Sequence, residues 1–493
     1  MEQSKRVLLP ALLGFLILLH LLTLVRYPAP FVDEGWFASR AWSFRQTGHP
    51  AGPLDRGVFD RFEGYETFYP LLPNWLQSVT YLNSGSPTLL PLRILSILSG
   101  FALLCALFFI GKALGGLRTA WLSVFLAMLS SPFLYSAHLA RYDILVAAFG
   151  FTAIALALQK QDRVWPHLLS GLAVAAAFET HPNGALYGPV VLSLYAIDRN
   201  KRAWVYIAGT LIGLGIYTAI HIARYPDTWL AINRIAGGGT HLPPIAQPSL
   251  LLDSFQRFLK LAWYSAPFVS LLAIPVLIYF CSLRNRQNMI ALVLMTGIPL
   301  MHMLLIQHKL FYYVILFSPA LDLAIAHFFF QLQSTTMKSL GLKIALNGMV
   351  VVLLFCSFVY SLLPLRWDWS EDYRNVESQL KQHVKPGESL MGNQLWWLAL
   401  PNHPWSSWEN LYYYRRYKQD ASLEEAFREF QPGLFILDLH VETFIQKKPG
   451  SSYAAQMGIP EQEFSQFMAE HGRLRAKFDG GYYGTIHIIE LYW

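Results

Sequence analysis

Long apolar runs are the feature of this sequence that most restricts its fold. About eleven segments have the roughly 20 mostly apolar residues that a helix needs to cross a bilayer. They are centred near residues 16, 101, 127, 151, 174, 191, 213, 270, 298, 320 and 353. Charged residues make up only 14% of the chain, whereas soluble globular proteins contain about 25%. The sequence therefore predicts a polytopic all-α membrane bundle with about eleven transmembrane helices.

Basic residues between the apolar runs predict the orientation of the bundle. With a cytoplasmic amino terminus, every cytoplasmic connection is short and basic, as the positive-inside rule requires. These connections hold Lys112, Arg118, Lys160, Arg163, Arg199, Lys201, Arg202, Arg284, Arg286, Lys338 and Lys343. The first loop (residues 26–88), residues 224–256 and the carboxyl-terminal region are then extracytoplasmic. Because the basic residues lie in these short cytoplasmic connections, the net charge of +7 does not indicate binding to nucleic acid. We expect membrane lipid and no nucleic acid as a partner.

The pattern of the sequence changes after the last apolar run, at Leu365. Helix-like stretches cover residues 371–383, 423–430 and 460–477, and strand-like stretches cover residues 388–392, 434–438 and 485–492. Alternating elements of this kind are typical of a small α/β domain. We therefore expect a transmembrane domain over residues 1–364 and an extracytoplasmic α/β domain over residues 365–493.

Acidic residues concentrate in the first external loop, where Asp33 and Glu34 follow the first apolar run. A carboxylate at the boundary between water and membrane can accept a proton from an incoming hydroxyl or amine, which is general-base chemistry. The alternative is that one of the two caps the helix that follows and complements its dipole. On residue type alone, capping is the favoured reading.

A second group of ionisable residues falls on the same predicted face. Arg141 and Asp143 lead into the fourth span, where an unpaired charge costs several kcal/mol and is a functional candidate. A purely structural ion pair remains the alternative. Arg93, His181 and Lys309 supply cations or N–H donors that can hold a phosphate. Structural roles stay open for them too, namely interface anchoring, helix capping or core packing, and snorkelling.

Several catalytic motifs are absent from the sequence. It has no phosphate-binding Walker loop, no dinucleotide-binding glycine pattern, no zinc-protease motif and no nucleophile elbow. The three cysteines all lie in apolar runs, so neither a disulfide framework nor a thiolate metal site is predicted. ATP-driven transport and metalloprotease chemistry are thereby disfavoured.

The order and spacing of several features resemble a known superfamily over residues 7 to about 330. They are Phe31-Val32-Asp33-Glu34 after the first span, Tyr69-Pro70 before an amphipathic segment, Ser86 to Arg93 opening the second span, and Arg141-x-Asp143 at the fourth. This set resembles the GT-C integral membrane glycosyltransferases. The most similar group is the bacterial branch related to protein O-mannosyltransferases and to the aminoarabinose transferase of lipid A (glycosyltransferase families 39 and 83).

The resemblance implies a GT-C fold and a hexosyl- or pentosyltransferase of the bacterial inner membrane. Its donor would be a polyprenyl-phosphate sugar, and its acceptor a glycolipid, a polysaccharide or a protein at the extracytoplasmic face. Asp33 would be the catalytic base, Glu34 its companion and Asp143 a second catalytic acid. Arg141, His181 and Lys309 fall where family members place residues near the donor phosphate, and we expect all these side chains to meet at that face.

The sequence departs from the family pattern in the first loop. Many members have a His or Lys before the proline, where this chain has Tyr69, which leaves Glu66 and Tyr69 as acceptor or loop candidates. Metal dependence varies in the family, so a divalent metal is compatible with the resemblance and no metal ligand is predicted.

Two other classes of function remain as alternatives. A secondary transporter would place charges near the bilayer midplane and tend to have related halves. A non-catalytic lipid-binding or assembly subunit would keep the topology without needing Asp33, Glu34 and Asp143 together.

Overall fold

The computed structural model describes residues 2–82, 84–159, 163–237, 243–283, 285–335, 340–419, 421–446 and 458–493. Three of the predicted cytoplasmic cations, Lys160, Arg284 and Lys338, lie outside the described residues. The chain divides into two compact units. Unit 1 comprises residues 1–24, 93–218 and 242–366, and unit 2 comprises residues 25–92, 219–241 and 367–493.

Helices dominate the described residues. In chain order they are α1 (Glu2–Thr23), α2 (Val32–Thr47), α3 (Leu71–Thr80), α4 (Leu89–Met128), α5 (Ser131–His138), α6 (Asp143–Ala157), α7 (Trp165–Thr180), α8 (Tyr187–Ile197), α9 (Ala203–His221), α10 (Pro226–Gly237), α11 (Leu251–Ser265), α12 (Pro267–Ser282), α13 (Arg286–Leu305), α14 (Ser318–Thr335), α15 (Leu340–Leu362), α16 (Trp369–His383), α17 (Glu409–Tyr417), α18 (Leu423–Phe430), α19 (Leu439–Phe444) and α20 (Glu461–His471). Every predicted apolar centre falls within one of these helices.

Helix length and composition do not confirm the predicted number of membrane spans. Among the described residues, four helices are long and apolar enough to cross a membrane. They are α4, α9, α13 and the helix that starts at Leu340. The number rises to six if each of two bent pairs, α5 with α6 and α11 with α12, is one span. The predicted count of eleven is therefore not confirmed, in part because α7 and α8 have only 16 and 11 residues.

Helix α4 contains two of the predicted apolar centres because it is a hairpin. Its backbone leaves the helical region at Gly115 and at Gly116, where φ is 79°. A Cβ atom added at Gly111 would lie 2.7 Å from the Cα atom of Ala120. The chain therefore reverses at the glycine pair, and the two halves of α4 pack directly against each other.

The core of unit 1 is one continuous cluster of buried apolar side chains. Phe133 from α5, Phe151 from α6 and Phe317 just before α14 are almost fully buried in it. Inside a bilayer, where the lipid is as apolar as these side chains, they stabilise the bundle through van der Waals packing and not through removal from water. This core fixes the short segments that connect the helices, including the segment between α5 and α6.

Unit 2 contains a five-stranded mixed sheet in its carboxyl-terminal part. Its strands are β1 (Leu390–Gly392), β2 (Trp405–Ser407), β3 (Leu434–Leu437), β6 (Gly472–Asp479) and β7 (Thr485–Leu491), in the order β2-β1-β3-β7-β6, and a separate small sheet pairs β4 (Ile445–Gln446) with β5 (Ile459–Pro460). Strand β1 is parallel to both of its neighbours, whereas β7 is antiparallel to β3 and β6. The small carboxyl-terminal sheet expected from the sequence is therefore present.

One predicted element of this region is wrong in part. The helix expected over residues 460–477 ends at His471, and Gly472 begins strand β6. Lys477 in that strand pairs with His487 of β7. Pairing with a distant strand thus overrides the local helical pattern, as tertiary context often does.

Candidate active site

The acidic pair of the first loop lies in the first turn of α2, where Glu34 acts as a cap. Its Oε2 atom accepts the N–H of Phe31 at 2.8 Å, and its own N–H donates to the carbonyl oxygen of Phe31 at 2.9 Å. Glu34 is fully buried. A carboxylate here satisfies a backbone donor and complements the positive end of the helix dipole. Glu34 therefore has the capping role that was the alternative to catalysis.

Asp33 differs from Glu34 in its surroundings. Its side chain is half-buried. Consecutive residues of an α-helix point roughly 100° apart, so the two carboxylates leave α2 in different directions. The next residue, Gly35, fixes the start of the helix, because a Cβ atom there would lie 2.1 Å from the carbonyl oxygen of Gln394. The position of Asp33 is thus set by close backbone packing within unit 2.

Tyr69 belongs to a second cluster of unit 2, which sequence analysis did not detect. Asp55 is buried and accepts two hydrogen bonds from Nε and Nη2 of Arg40, at 2.9 and 2.7 Å. The guanidinium of Arg40 lies 4.4 Å from the ring centroid of Tyr69. Burial and the neighbouring Asp55 raise the pKa of Tyr69 well above its usual value. Tyr69 is therefore a neutral member of an ion-pair cluster, and Glu66 is half-buried in the preceding short 3₁₀ turn.

In unit 1, Arg141 and Asp143 form a buried ion pair at the start of α6. The Nε atom of Arg141 donates to Oδ2 of Asp143 at 2.8 Å, and both side chains are less than 10% exposed. The guanidinium carbon of Arg141 lies 3.5 Å from the ring centroid of Tyr312, which is a close cation–π contact. The structure thus holds the guanidinium plane between a carboxylate and an aromatic face.

His181 lies just beyond the end of α7 and belongs to the same group. Its ring centroid is 6.0 Å from that of Tyr313, which in turn contacts Tyr312. Burial lowers the pKa of His181 to about 4; Asp143 opposes this shift and Arg141 adds to it. The backbone N–H of Asn183 donates to Nδ1 of His181 at 3.1 Å. Because that nitrogen must be an acceptor, the neutral ring carries its proton on Nε2.

Lys309 and Arg93 are placed by backbone carbonyl groups. The ammonium of Lys309 donates to the carbonyl oxygens of His302, Met303 and Ile306 at the carboxyl-terminal end of α13. A cation at that position complements the negative end of the helix dipole. Arg93 is fully buried and donates to the carbonyl oxygen of Leu24 at 3.0 Å, so it is not an exposed interface anchor.

The structure therefore gathers three of the predicted residues, Arg141, Asp143 and His181, in unit 1. It adds Tyr312 and Tyr313, which the sequence analysis missed although both follow Lys309 closely in the chain. Asp33, Glu34, Glu66 and Tyr69 lie in unit 2. Among the residues described, no group of three or more His, Cys, Asp or Glu side chains is arranged to hold a metal ion.

Comparison with known proteins shows which fold the chain has. A family model described as dolichyl-phosphate-mannose-protein mannosyltransferase matches residues 69–222. The chain is similar to the crystal structure of ArnT from Cupriavidus metallidurans bound to undecaprenyl phosphate, with a TM-score of 0.66 and 13% identity over 99% of this chain and 98% of that chain. The chain has the GT-C fold. The fold that the resemblance implies is thereby confirmed.

A second GT-C structure gives the same result. The chain is similar to the oligosaccharyltransferase AglB from Archaeoglobus fulgidus in complex with an inhibitory peptide and a dolichol-phosphate, with a TM-score of 0.55 and 11% identity over 98% of this chain and 74% of that chain. No curated protein sequence matches the chain. Together with its apolar helices, the GT-C fold identifies an integral membrane protein.

Proposed function

We propose that this protein is a glycosyltransferase that moves a monosaccharide from a polyprenyl-phosphate donor to a lipid, polysaccharide or protein acceptor. The reaction takes place at the extracytoplasmic face of a bacterial inner membrane. The observation that carries the proposal is the GT-C fold over 99% of the chain, shared with a protein solved with undecaprenyl phosphate bound. The family match over residues 69–222 supports the same class of reaction.

We assign different roles to the two acids of the first loop. Glu34 accepts a hydrogen bond from the backbone N–H of Phe31 and stabilises the start of α2. Asp33, on a different side of the helix, takes the proton of the acceptor hydroxyl or amine. A carboxylate at the boundary between water and membrane can accept this proton, which is general-base chemistry.

Arg141 is the residue best suited to the donor phosphate. A guanidinium is always charged and presents N–H groups in a fixed fork that matches phosphate oxygens. Asp143 and Tyr312 fix the orientation of this fork from two directions. We assign Asp143 to positioning Arg141, and neutral His181 to donating its Nε2–H as a further hydrogen bond.

The proposed reaction is a single displacement. The acceptor oxygen or nitrogen attacks the anomeric carbon of the sugar while the bond from that carbon to the phosphate oxygen breaks. The bonding electrons leave with the polyprenyl phosphate, whose charge Arg141 stabilises. The acceptor proton passes to Asp33. One displacement inverts the configuration at the anomeric carbon.

A donor-consumption assay tests the proposal. The full-length protein in lipid nanodiscs is supplied with undecaprenyl phosphate carrying a radiolabelled hexose or pentose and with an extract of bacterial envelope as acceptor. We expect label to leave the donor and one undecaprenyl phosphate to be released for each sugar transferred. If every donor stays intact although the protein binds undecaprenyl phosphate, the protein is a lipid-binding subunit and the enzymatic proposal fails.

A further inference from the structure

A pocket in unit 1 lies apart from the residues assigned to sugar transfer. It is an open pocket with a volume of about 480 Å³. Three elements form its walls: the end of the first half of α4, the carboxyl-terminal end of α6 and the first turns of α13. Each wall comes from a helix or bent pair that can cross a membrane, so the pocket lies at one end of these spans.

The pocket is separated from the Arg141–Asp143 pair by the length of a helix. Asp143 is the first residue of α6, whereas Leu158 and Gln159, which line the pocket, follow its last residue. At 1.5 Å per residue, the 15 residues of α6 place the two ends about 22 Å apart. A ligand in this pocket is therefore distinct from a donor held by Arg141.

The lining of the pocket is cationic on an apolar background. Its polar side chains are those of Lys112, Gln159 and Arg286. The apolar lining consists of Phe109, Ala113, Leu114, Ala155, Leu158 and Ile290. Asp198 pairs with Nε and Nη2 of Arg286 and so fixes the direction of that guanidinium. Among the described residues, two cations against one carboxylate give the pocket a net positive charge.

The surroundings of the pocket favour a lipid over a soluble anion. Phe109 lines the pocket and is 57% exposed, and Leu117 on the other half of the α4 hairpin is also 57% exposed. Apolar side chains exposed on a membrane-spanning helix face acyl chains. The charged groups lie at the predicted cytoplasmic end, where anionic headgroups attract Lys and Arg and basic pockets between spans bind lipid phosphates.

We propose that this pocket binds the phosphate headgroup of an anionic membrane phospholipid. Lys112 and Gln159 donate to the phosphate oxygens, and Arg286 adds a guanidinium held in place by Asp198. The first methylene groups of the acyl chains lie against Phe109, Ala113 and Leu114. The lipid thus seals the basic end of the bundle between α4, α6 and α13.

Native mass spectrometry of the full-length protein tests the site by titration with phosphatidylglycerol or phosphatidylcholine. We expect tighter binding of phosphatidylglycerol. Lys112→Gln should weaken that binding about fivefold, because one cation near a membrane surface contributes about that factor. The matched control is Lys201→Gln, which removes an exposed cation from the connection between α8 and α9, outside the pocket lining.

A second variant separates the pocket from a general loss of charge. Ala113→Trp leaves every charge in place and fills the pocket, and it should weaken phosphatidylglycerol binding while leaving that of phosphatidylcholine unchanged. Equal effects of Lys112→Gln and Lys201→Gln would overturn the proposal, since they would indicate a diffuse layer of lipid. Competition by millimolar inorganic phosphate would also overturn it in favour of a soluble anion.

Discussion

Arg141 donates from Nε to Oδ2 of Asp143 at 2.8 Å, although only one residue separates the two in the chain. Because both side chains are buried, neither charge can be removed without leaving the other in a medium of low dielectric constant. The same pair therefore contributes to the fold and, by proposal, to donor binding. Double substitution can separate the two roles.

Removal of Arg141 alone should destabilise the protein strongly. Arg141→Met leaves the Asp143 carboxylate buried without this partner, which costs about 3–5 kcal/mol. The double variant Arg141→Met/Asp143→Leu should regain most of that stability but should not bind undecaprenyl phosphate. Stability is measured as the temperature at which the monodisperse protein is lost. Binding of undecaprenyl phosphate is measured by native mass spectrometry. Normal lipid binding by the double variant would leave the pair with a structural role only.

Asp33→Asn should lower the turnover number by about 10²- to 10⁴-fold, the usual contribution of a general base. The change removes the charge and barely alters the volume, so expression and thermal stability should stay at the level of the unsubstituted protein. The donor-consumption assay measures the rate. A variant with full activity would remove Asp33 from the mechanism.

Glu34 should behave differently from Asp33 despite being its neighbour. Glu34→Ala removes the acceptor for the Phe31 N–H and should cost about 1 kcal/mol of stability, as the loss of a helix cap does. Glu34→Gln keeps a side-chain oxygen that can accept the same bond, and it should retain most of the stability and activity. If Glu34→Gln is inactive at normal stability, the ionised form of Glu34 takes part in the reaction.

His181 should make stability depend on pH. Its pKa is lowered to about 4 in the folded protein, whereas the unfolded chain titrates near 6.5. Between these values the unfolded state binds more protons, so stability is fully present above pH 6.5 and is lost as the pH falls toward 4. His181→Gln should flatten that dependence in thermal unfolding between pH 4.5 and 7. An equally steep dependence in the variant would show that other groups cause it.

Tyr69→Phe tests whether the tyrosine of the first loop contacts substrate. Phe keeps the ring that lies against Arg40, and the buried Tyr69 hydroxyl has no hydrogen-bond partner among the described residues, so we expect stability, KM and the turnover number to stay nearly unchanged. Asp55→Asn should cost more, since it removes a charge paired with Arg40. A large rise in KM for Tyr69→Phe would instead indicate that the Tyr69 hydroxyl contacts the substrate.

The fold was predictable where the signal is local and strong. Every predicted apolar centre falls within a helix, since an apolar run of that length has few other solutions, whereas α5 and α11 were not predicted. The strand that begins at Gly472 was missed because its pairing with β7 is not visible in local periodicity. The GT-C resemblance was visible in the order of motifs around Asp33 and Asp143.

Side-chain partners in the candidate site were harder to predict. The residue types alone predicted that one of the two acids could cap α2, and Glu34 has that role. The contact of Lys309 with the end of α13 follows a known preference of cations for helix ends. The stacking of Arg141 on Tyr312 and the pairing of Arg40 with Asp55 depend on how separate segments fold back, which spacing along the chain does not encode.

The reversal at Gly115 and Gly116 has a consequence for how the protein is made. Because only two residues join the halves of α4, we expect the halves to enter the bilayer as a pair during synthesis. Any side chain at Gly116 would strain the turn, because φ there is 79°, a value that L residues rarely adopt, and we expect it to hinder this pairing during synthesis. Its effect would be seen as lower yield in the membrane and not as slower turnover of the molecules that mature.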